Sequence, residues 1–120
     1  MKITIFEPSS LEPKYVEIPY DTNVLREDLR KILLEKYDVL AYTPDEITEN
    51  ENNDNFKYDV ILLPFVFHPD NYSIVRCGIL TKIGRKTRKL CSFEWNEDVK
   101  QWRLIDETNE LKKFLLLRDY

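Results

Sequence analysis

Two cysteines and one histidine are the side chains best suited to nucleophilic catalysis or to holding a zinc ion. His68 precedes Pro69 in a predicted turn, while Cys77 and Cys91 lie among apolar residues in predicted strands. A cysteine nucleophile needs an adjacent base, and a zinc site needs about four ligands of these types. A single histidine leaves a zinc site short of ligands, and His68 and Cys77 fall at different heights on the predicted strands. We therefore predict two small buried thiols, with no metal and no cofactor.

A second chemical candidate is a metal-dependent nuclease. Pro69-Asp70 followed by Asp98-Val99-Lys100 has the form of the PD-(D/E)xK nuclease pattern, in which two carboxylates hold a divalent metal beside a lysine. That chemistry requires the three groups to converge on neighbouring strands. Both pieces fall in predicted turns, which we expect at opposite ends of the sheet, so the sequence favours binding functions over this one.

The most basic stretch of the chain is the hairpin Arg76–Lys89. Its fourteen residues include six basic side chains and no acidic one. A protruding basic β-ribbon is able to contact phosphates with salt-dependent affinity, which makes a nucleic-acid-binding accessory protein one candidate function. The alternatives are a solvated turn and a contact with the acidic segment described next. The residues expected to bind nucleic acid are Lys82, Arg85, Lys86, Arg88 and Lys89.

An acidic stretch lies between Asp45 and Asp59, where six carboxylates accompany one lysine. Such a surface steers docking to a basic partner and imitates nucleic acid. With no catalytic constellation in the sequence, we predict a non-enzymatic protein-binding module that acts as an inhibitor, immunity factor or adaptor. The scarcity of alanine and glycine hints at an AT-rich bacterial, phage or viral genome. The predicted protein-binding residues are Asp45, Glu46, Glu49, Glu51 and Asp54.

Length and composition limit the classes of protein to which this chain can belong. A chain of 120 residues with 42% hydrophobic residues predicts one globular domain. No apolar run approaches the roughly 18 residues that a membrane span needs, and the first residues lack a secretory apolar region. We therefore expect a cytoplasmic protein (in the host cytoplasm if it is viral). The net charge of −4 argues against a dedicated nucleic-acid binder.

The stretch from Tyr58 to Ile105 predicts a four-stranded antiparallel meander, because β-branched and aromatic runs alternate with turn residues. Three turns determine its register. Symmetry about Gly84 pairs Cys77 with Cys91, the turn HPDN pairs Phe67 with Tyr72, and the loop NEDVKQ pairs Trp95 with Trp102. All three turns place the same side chains on one buried face.

The remaining elements complete an α+β fold. Lys2–Phe6 and Lys14–Tyr20 alternate as the strands of an N-terminal hairpin, and Asp21-Thr22-Asn23 starts one main helix. A short helix over Pro44–Glu49 follows a capping box, and a mobile acidic loop covers about residues 50–56. A last helix begins after Asp106 or Thr108.

The segment YDVILLPFVF is apolar on both faces, so it requires cover on both sides. We expect the main helix on one side and the C-terminal helix on the other. If the C-terminal helix packs elsewhere, the bare apolar face is available to a partner or to a second copy in a homo-oligomer.

The start of the chain resembles ubiquitin-like β-grasp domains. The residues that carry the resemblance are Pro19, Tyr20, Asp21 and Thr22, which match the Pro-x-Asp-Thr step by which those domains enter their single helix. The resemblance covers the first third of the chain and implies an interaction module. The chain ends in Leu-Leu-Arg-Asp-Tyr, without the Gly-Gly of ubiquitin-like modifiers, so conjugation to targets is not implied.

Overall fold

More of the described residues lie in strands than in helices. The computed structural model describes residues 1–5 and 12–118. Phe6, the predicted end of the first strand, and most of the turn predicted to join the two strands of the N-terminal hairpin lie outside this range. The described elements are β1 (Lys2–Ile5), β2 (Lys14–Glu17), α1 (Thr22–Tyr37), β3 (Ala41–Tyr42), α2 (Pro44–Glu49), β4 (Val60–Leu62), β5 (Val66–His68), β6 (Asn71–Ile83), β7 (Lys86–Asn96), β8 (Gln101–Ile105) and α3 (Glu110–Arg118).

The predicted α+β class is confirmed. β1 and β2 form a separate antiparallel hairpin, and the main sheet has the order β3-β4-β6-β7-β8, with β5 also paired to β6. The predicted first strand of the meander is interrupted at Pro64, which separates β4 from β5, because proline cannot donate to the ladder. The two-residue strand β3, parallel to β4, was not predicted because two residues carry no detectable alternation. Membership of the β-grasp family stays a prediction.

α1 forms where local signals agree. The Asp21 side chain accepts a hydrogen bond from the backbone N–H of Asn23 at 2.8 Å, which caps the first turn. The helix ends at Asp38, whose left-handed backbone (φ 54°) lets its N–H bond the carbonyls of the last turn. Three leucines at helical spacing form its buried stripe: Leu25, Leu29 and Leu33.

The predicted register of the central hairpin is wrong by two residues. Cys77 lies opposite Phe93, and Cys91 lies opposite Ile79. One residue of the shift arises because the turn has two central residues, Gly84 and Arg85, and the other arises from a bulge next to Ile79. Because side chains alternate with a period of two, this shift preserves the predicted faces, and both cysteines are buried.

Of the two predicted registers of the outer strands, one is confirmed and the other is wrong. Trp95 lies opposite Trp102, as predicted. Phe67 pairs with Val75 and not with Tyr72, because the ladder is irregular next to His68, where the turn begins.

The two long helices pack on the same face of the sheet, so the expectation of one helix per face is wrong. Leu33 of α1 and Leu111 of α3 belong to one buried cluster with Cys77 and Phe93. Asp106 orients α3 toward this face, since its carboxylate accepts hydrogen bonds from the N–H groups of Leu111 (3.4 Å) and Lys112. No described helix packs on the opposite face, which we call the open face.

Candidate functional site

The acidic segment, residues 45–59, begins within the short helix α2, which is fixed at its start. Thr43 and Glu46 form the predicted capping box, in which the Glu46 carboxylate accepts from the Thr43 N–H at 2.9 Å and the Thr43 hydroxyl accepts from the Glu46 N–H. Arg30 of α1 also contacts the Glu46 carboxylate at 2.6 Å. Glu46 was predicted to bind a partner, but the structure gives its carboxylate an internal role at the junction of α1 and α2.

The other four predicted protein-binding residues are exposed and make no ion pair within residues 1–5 and 12–118. The loop after α2 is a series of hydrogen-bonded turns. The backbone N–H of Asn53 donates to the carbonyl of Asn50, and the N–H of Phe56 donates to the carbonyl of Asn53. The Phe56 ring packs against Tyr42 at 4.7 Å between centroids, which anchors the loop to β3. The predicted mobility of this loop stays a prediction. The four exposed carboxylates are Asp45, Glu49, Glu51 and Asp54.

The junction at Glu46 allows a prediction about acid stability. Burial alone would raise the pKa of Glu46, but hydrogen bonds from Thr43 and Arg30 hold it below the usual value of 4.5. A carboxyl group with a lowered folded-state pKa stabilises the fold fully above its unfolded-state pKa, and this contribution is lost as the pH falls through the folded-state pKa. We therefore expect Glu46→Gln to lower the free energy of unfolding by about 0.5 to 1 kcal/mol at pH 7.

Urea denaturation at a series of pH values measures this effect. The difference between Glu46→Gln and the natural protein is expected to shrink as the pH falls below 4.5. Glu49→Gln is the matched control, because Glu49 lies in the same helix but is exposed. A Glu46→Gln difference that stays constant down to the acid transition would contradict the assignment of the lowered pKa to this junction.

The basic ribbon, residues 81–89, extends beyond the neighbouring strands. The pairing of β6 with β4 ends at Leu80, and the pairing of β7 with β8 ends at Ser92. Gly84 has φ +62° at the first central position of the turn, a conformation that glycine adopts without strain. Beyond these limits the two strands of the ribbon therefore have only each other as ladder partners.

Not all of the predicted nucleic-acid-binding residues are free. Arg88 pairs with Glu110 of α3 at 2.6 Å, and Arg76 at the base of the hairpin pairs with Glu94. The remaining side chains are exposed and make no ion pair with another described residue. These unpaired basic residues are Lys82, Arg85, Lys86 and Lys89.

The two cysteines are free thiols in the core, as predicted. Burial raises the pKa of each thiol to about 12, and the charges of Asp106 and Cys77 act in the same direction on Cys91. The Cys77 thiol donates to the Leu63 carbonyl at 3.3 Å, whereas His68 is exposed and accepts from the N–H of Asp70. The structure thus gives Cys77 no histidine base among its hydrogen-bond partners.

The nuclease pattern needs a correction. Its two turns were expected at opposite ends of the sheet, but they lie at the same end, because β6 and β7 run antiparallel between them. The N–H of Glu97 even bonds the carbonyl of Ser73 across the two turns. The Lys100 ammonium contacts the Glu97 carboxylate, and among the described residues no group of three or more His, Cys, Asp or Glu side chains is arranged to hold a metal ion.

The open face carries a row of charges that the sequence analysis did not identify. Arg76, Glu94 and Arg103 lie opposite one another on β6, β7 and β8. Arg76 contacts one oxygen of Glu94 at 2.8 Å and Arg103 the other at 3.0 Å, and both hydrogen bonds hold the pKa of Glu94 below its usual value. The predicted pairing of Trp95 with Trp102 already places Glu94 opposite Arg103, whereas Arg76 joins the row only in the shifted register of β6 and β7.

Comparison with protein-family models, with curated proteins and with solved structures found no match to this chain. In the described part of the chain, no helix is both long and apolar enough to cross a membrane.

Proposed function

We propose that this protein is a non-enzymatic module that binds a basic surface of another protein through its acidic segment, as an inhibitor, immunity factor or adaptor. The observation that carries the proposal is the set of four carboxylates on α2 and the turns after it, which are exposed and make no ion pair with a described residue. Four like charges that lack internal partners raise the rate and affinity of docking to a positive patch.

The anchoring of the segment supports the same proposal. Its helix is capped by Thr43 and tied to α1 through Arg30, and its loop packs on β3 through Phe56. Side chains that are already positioned lose less conformational entropy on binding than side chains on a disordered loop. These two attachments favour the use of the exposed charges for docking.

The test is capture of a protein partner from the source cells with the tagged chain, before and after nuclease digestion. The test variant neutralises the four exposed carboxylates: Asp45→Asn, Glu49→Gln, Glu51→Gln and Asp54→Asn. We expect a stoichiometric protein partner that survives digestion and binds the test variant at least about tenfold more weakly at low salt, since several rim charges act together.

A matched control separates the position of the charges from the net charge of the protein. Four other carboxylates are exposed without a described ion pair, and their neutralisation changes the net charge by the same amount. This control is expected to bind the partner like the natural protein. Equal retention of the partner by the test variant and the control would refute the proposal. The control substitutions are Asp28→Asn, Asp70→Asn, Asp98→Asn and Glu107→Gln.

The second candidate is a nucleic-acid-binding accessory protein that uses the basic ribbon. It is favoured by one observation: four basic side chains without an ion pair to any described residue project from a ribbon that has no neighbouring strand in residues 1–5 and 12–118. In the same capture experiment this candidate requires co-purified nucleic acid, with partners lost on digestion. Replacement of Lys82, Arg85, Lys86 and Lys89 by glutamine would then abolish the co-purification and reduce the salt dependence of binding.

A further inference from the structure

The outer edge of β8 (Gln101–Ile105) has no strand partner within the described chain. β8 pairs with β7 on one side only, and no described backbone hydrogen bond reaches its other side. In an antiparallel strand every second residue points its N–H and C=O groups away from the existing partner. These groups form a template for a further strand.

The charge row of the open face ends at this edge with an unbalanced positive charge. Arg76, Glu94 and Arg103 alternate in sign across three adjacent strands, so two guanidinium groups share one carboxylate. The Glu94 side chain is only 13% exposed, whereas that of Arg103 is 70% exposed at the edge of the sheet. A carboxylate on a fourth strand, directly opposite Arg103, would continue the alternation.

The opposite side of the same strand faces an apolar groove. Trp102 and Leu104 point to the helix face, because they alternate with Arg103. Leu104 lines a groove of about 250 Å³ between β8, the end of α1 and α3. Its apolar lining also includes Tyr37, Leu111, Leu115 and Leu116, and Leu116 is 63% exposed.

We propose that the edge of β8 binds an extended peptide segment of a partner by strand addition. An acidic residue of the segment lies opposite Arg103, and the apolar residues on either side of it face Trp102 and the groove at Leu104. The backbone hydrogen bonds provide affinity, and the alternating side chains provide specificity. This surface and its acidic, apolar ligand differ from the acidic segment and its basic partner, so this inference is independent of the proposed function.

A second copy of this chain is a poorer occupant than a foreign strand. Antiparallel pairing of two β8 strands over all five residues centres on Arg103 and places the two arginines opposite each other. Like charges directly opposite destabilise a strand pair. The charge at the edge therefore opposes self-pairing and favours an acidic strand.

Selection from a displayed library of random eight-residue peptides tests the proposal on the natural protein. We expect enriched peptides with one acidic residue between two apolar residues. The best peptide is then synthesised with N-methyl groups on alternate amides, in both possible patterns. The pattern that blocks the edge facing β8 is expected to weaken binding at least about tenfold, because it removes several hydrogen bonds, and the other pattern is expected to bind like the unmodified peptide.

Protein variants then locate the acidic contact. Arg103→Gln is expected to weaken binding about threefold, as is typical for a cross-strand charge pair. Arg76→Gln is the matched control, because it removes the other partner of Glu94 without changing β8. Neutralising the acidic residue of the peptide should weaken binding to the natural protein but add nothing with Arg103→Gln. The variant with four neutralised carboxylates in the acidic segment should bind the peptide normally, so failure of one proposal is distinguishable from failure of the other.

Three results would overturn the inference. The first is a selection that enriches no peptides of this pattern, and the second is equal weakening by both methylation patterns. The third is a dimer, detected by sedimentation equilibrium, that becomes tighter with Arg103→Gln and that the peptide does not dissociate. That result would assign the edge of β8 to a second copy of the chain. Unchanged urea midpoints of the Arg103 and Arg76 variants exclude unfolding as the cause of weaker binding.

Discussion

Replacement of Leu33 by alanine is expected to lower the free energy of unfolding by about 2 to 5 kcal/mol, as is typical for truncating a buried leucine. Leu33 is completely buried and belongs to the cluster that contains Cys77 and Phe93 on the sheet. Truncation of its side chain leaves a cavity between α1 and the strands. The cavity cannot collapse fully, because the surrounding residues are closely packed. Urea denaturation followed by tryptophan fluorescence measures the loss.

The next residue of the same helix provides the control. Leu34 is 47% exposed, so Leu34→Ala removes little buried area and should change the free energy of unfolding by less than about 0.5 kcal/mol. Both substitutions keep the high helix propensity of alanine, so the difference between them reports burial alone. Similar losses at the two positions would show that α1 does not pack on the sheet through the face that contains Leu33.

Replacement of Leu111 by aspartate should be more damaging, with a loss of at least about 3 kcal/mol, because it adds the desolvation of a carboxylate to the loss of apolar packing. Leu111 is 1% exposed in the same cluster as Leu33. An acidic residue in the first turn of a helix is locally favourable, so the loss arises from burial and not from helix propensity. We expect α3 to leave the sheet before the strands unfold, with early hydrogen exchange in α3 and in α1 near Tyr37 as the measurement.

Leu116→Asp is the control for this substitution. Leu116 belongs to the same helix but is 63% exposed, so its replacement should cost less than about 1 kcal/mol. If Leu111→Asp cost no more than Leu116→Asp, α3 would not be docked on the face that α1 covers. That result would also remove the apolar groove beside β8, on which the proposed strand addition depends.

The one-sided packing links the fold to both proposals. Because α1 and α3 cover one face, the open face leaves the two arginines that contact Glu94 exposed, and one of them, Arg103, lies at the edge of the sheet. The acidic segment and the basic ribbon extend from the sheet with unpaired charges of opposite sign. The proposed binding surfaces are thus places where the fold leaves charge or backbone groups without a partner among the described residues.

Elements governed by contacts close in sequence were predictable. The cap of α1 at Asp21 and the capping box of α2 each join residues that lie within three positions of one another. The faces of the central hairpin were predictable as well, because alternation survives any shift by an even number of residues. For this reason the predicted burial of Cys77 and Cys91 is confirmed although their predicted pairing is wrong. The face of β5 was not predictable, because its register differs from the predicted one by three residues.

Contacts between distant residues were decided only by the tertiary structure. The apolar stripes of α1 and α3 indicate that each helix must cover apolar surface. Each stripe fits either face of a strand that is apolar on both faces. The face that each helix covers therefore depends on the path of the connecting chain. The number of acidic residues in the segment likewise did not show which carboxylates are exposed. Glu46 is held by Arg30 of another helix, and the sequence alone provided no means to separate it from the carboxylates without such a partner. Composition and local spacing therefore determined which groups this protein has for binding, and long-range packing determined which of them remain available to a partner.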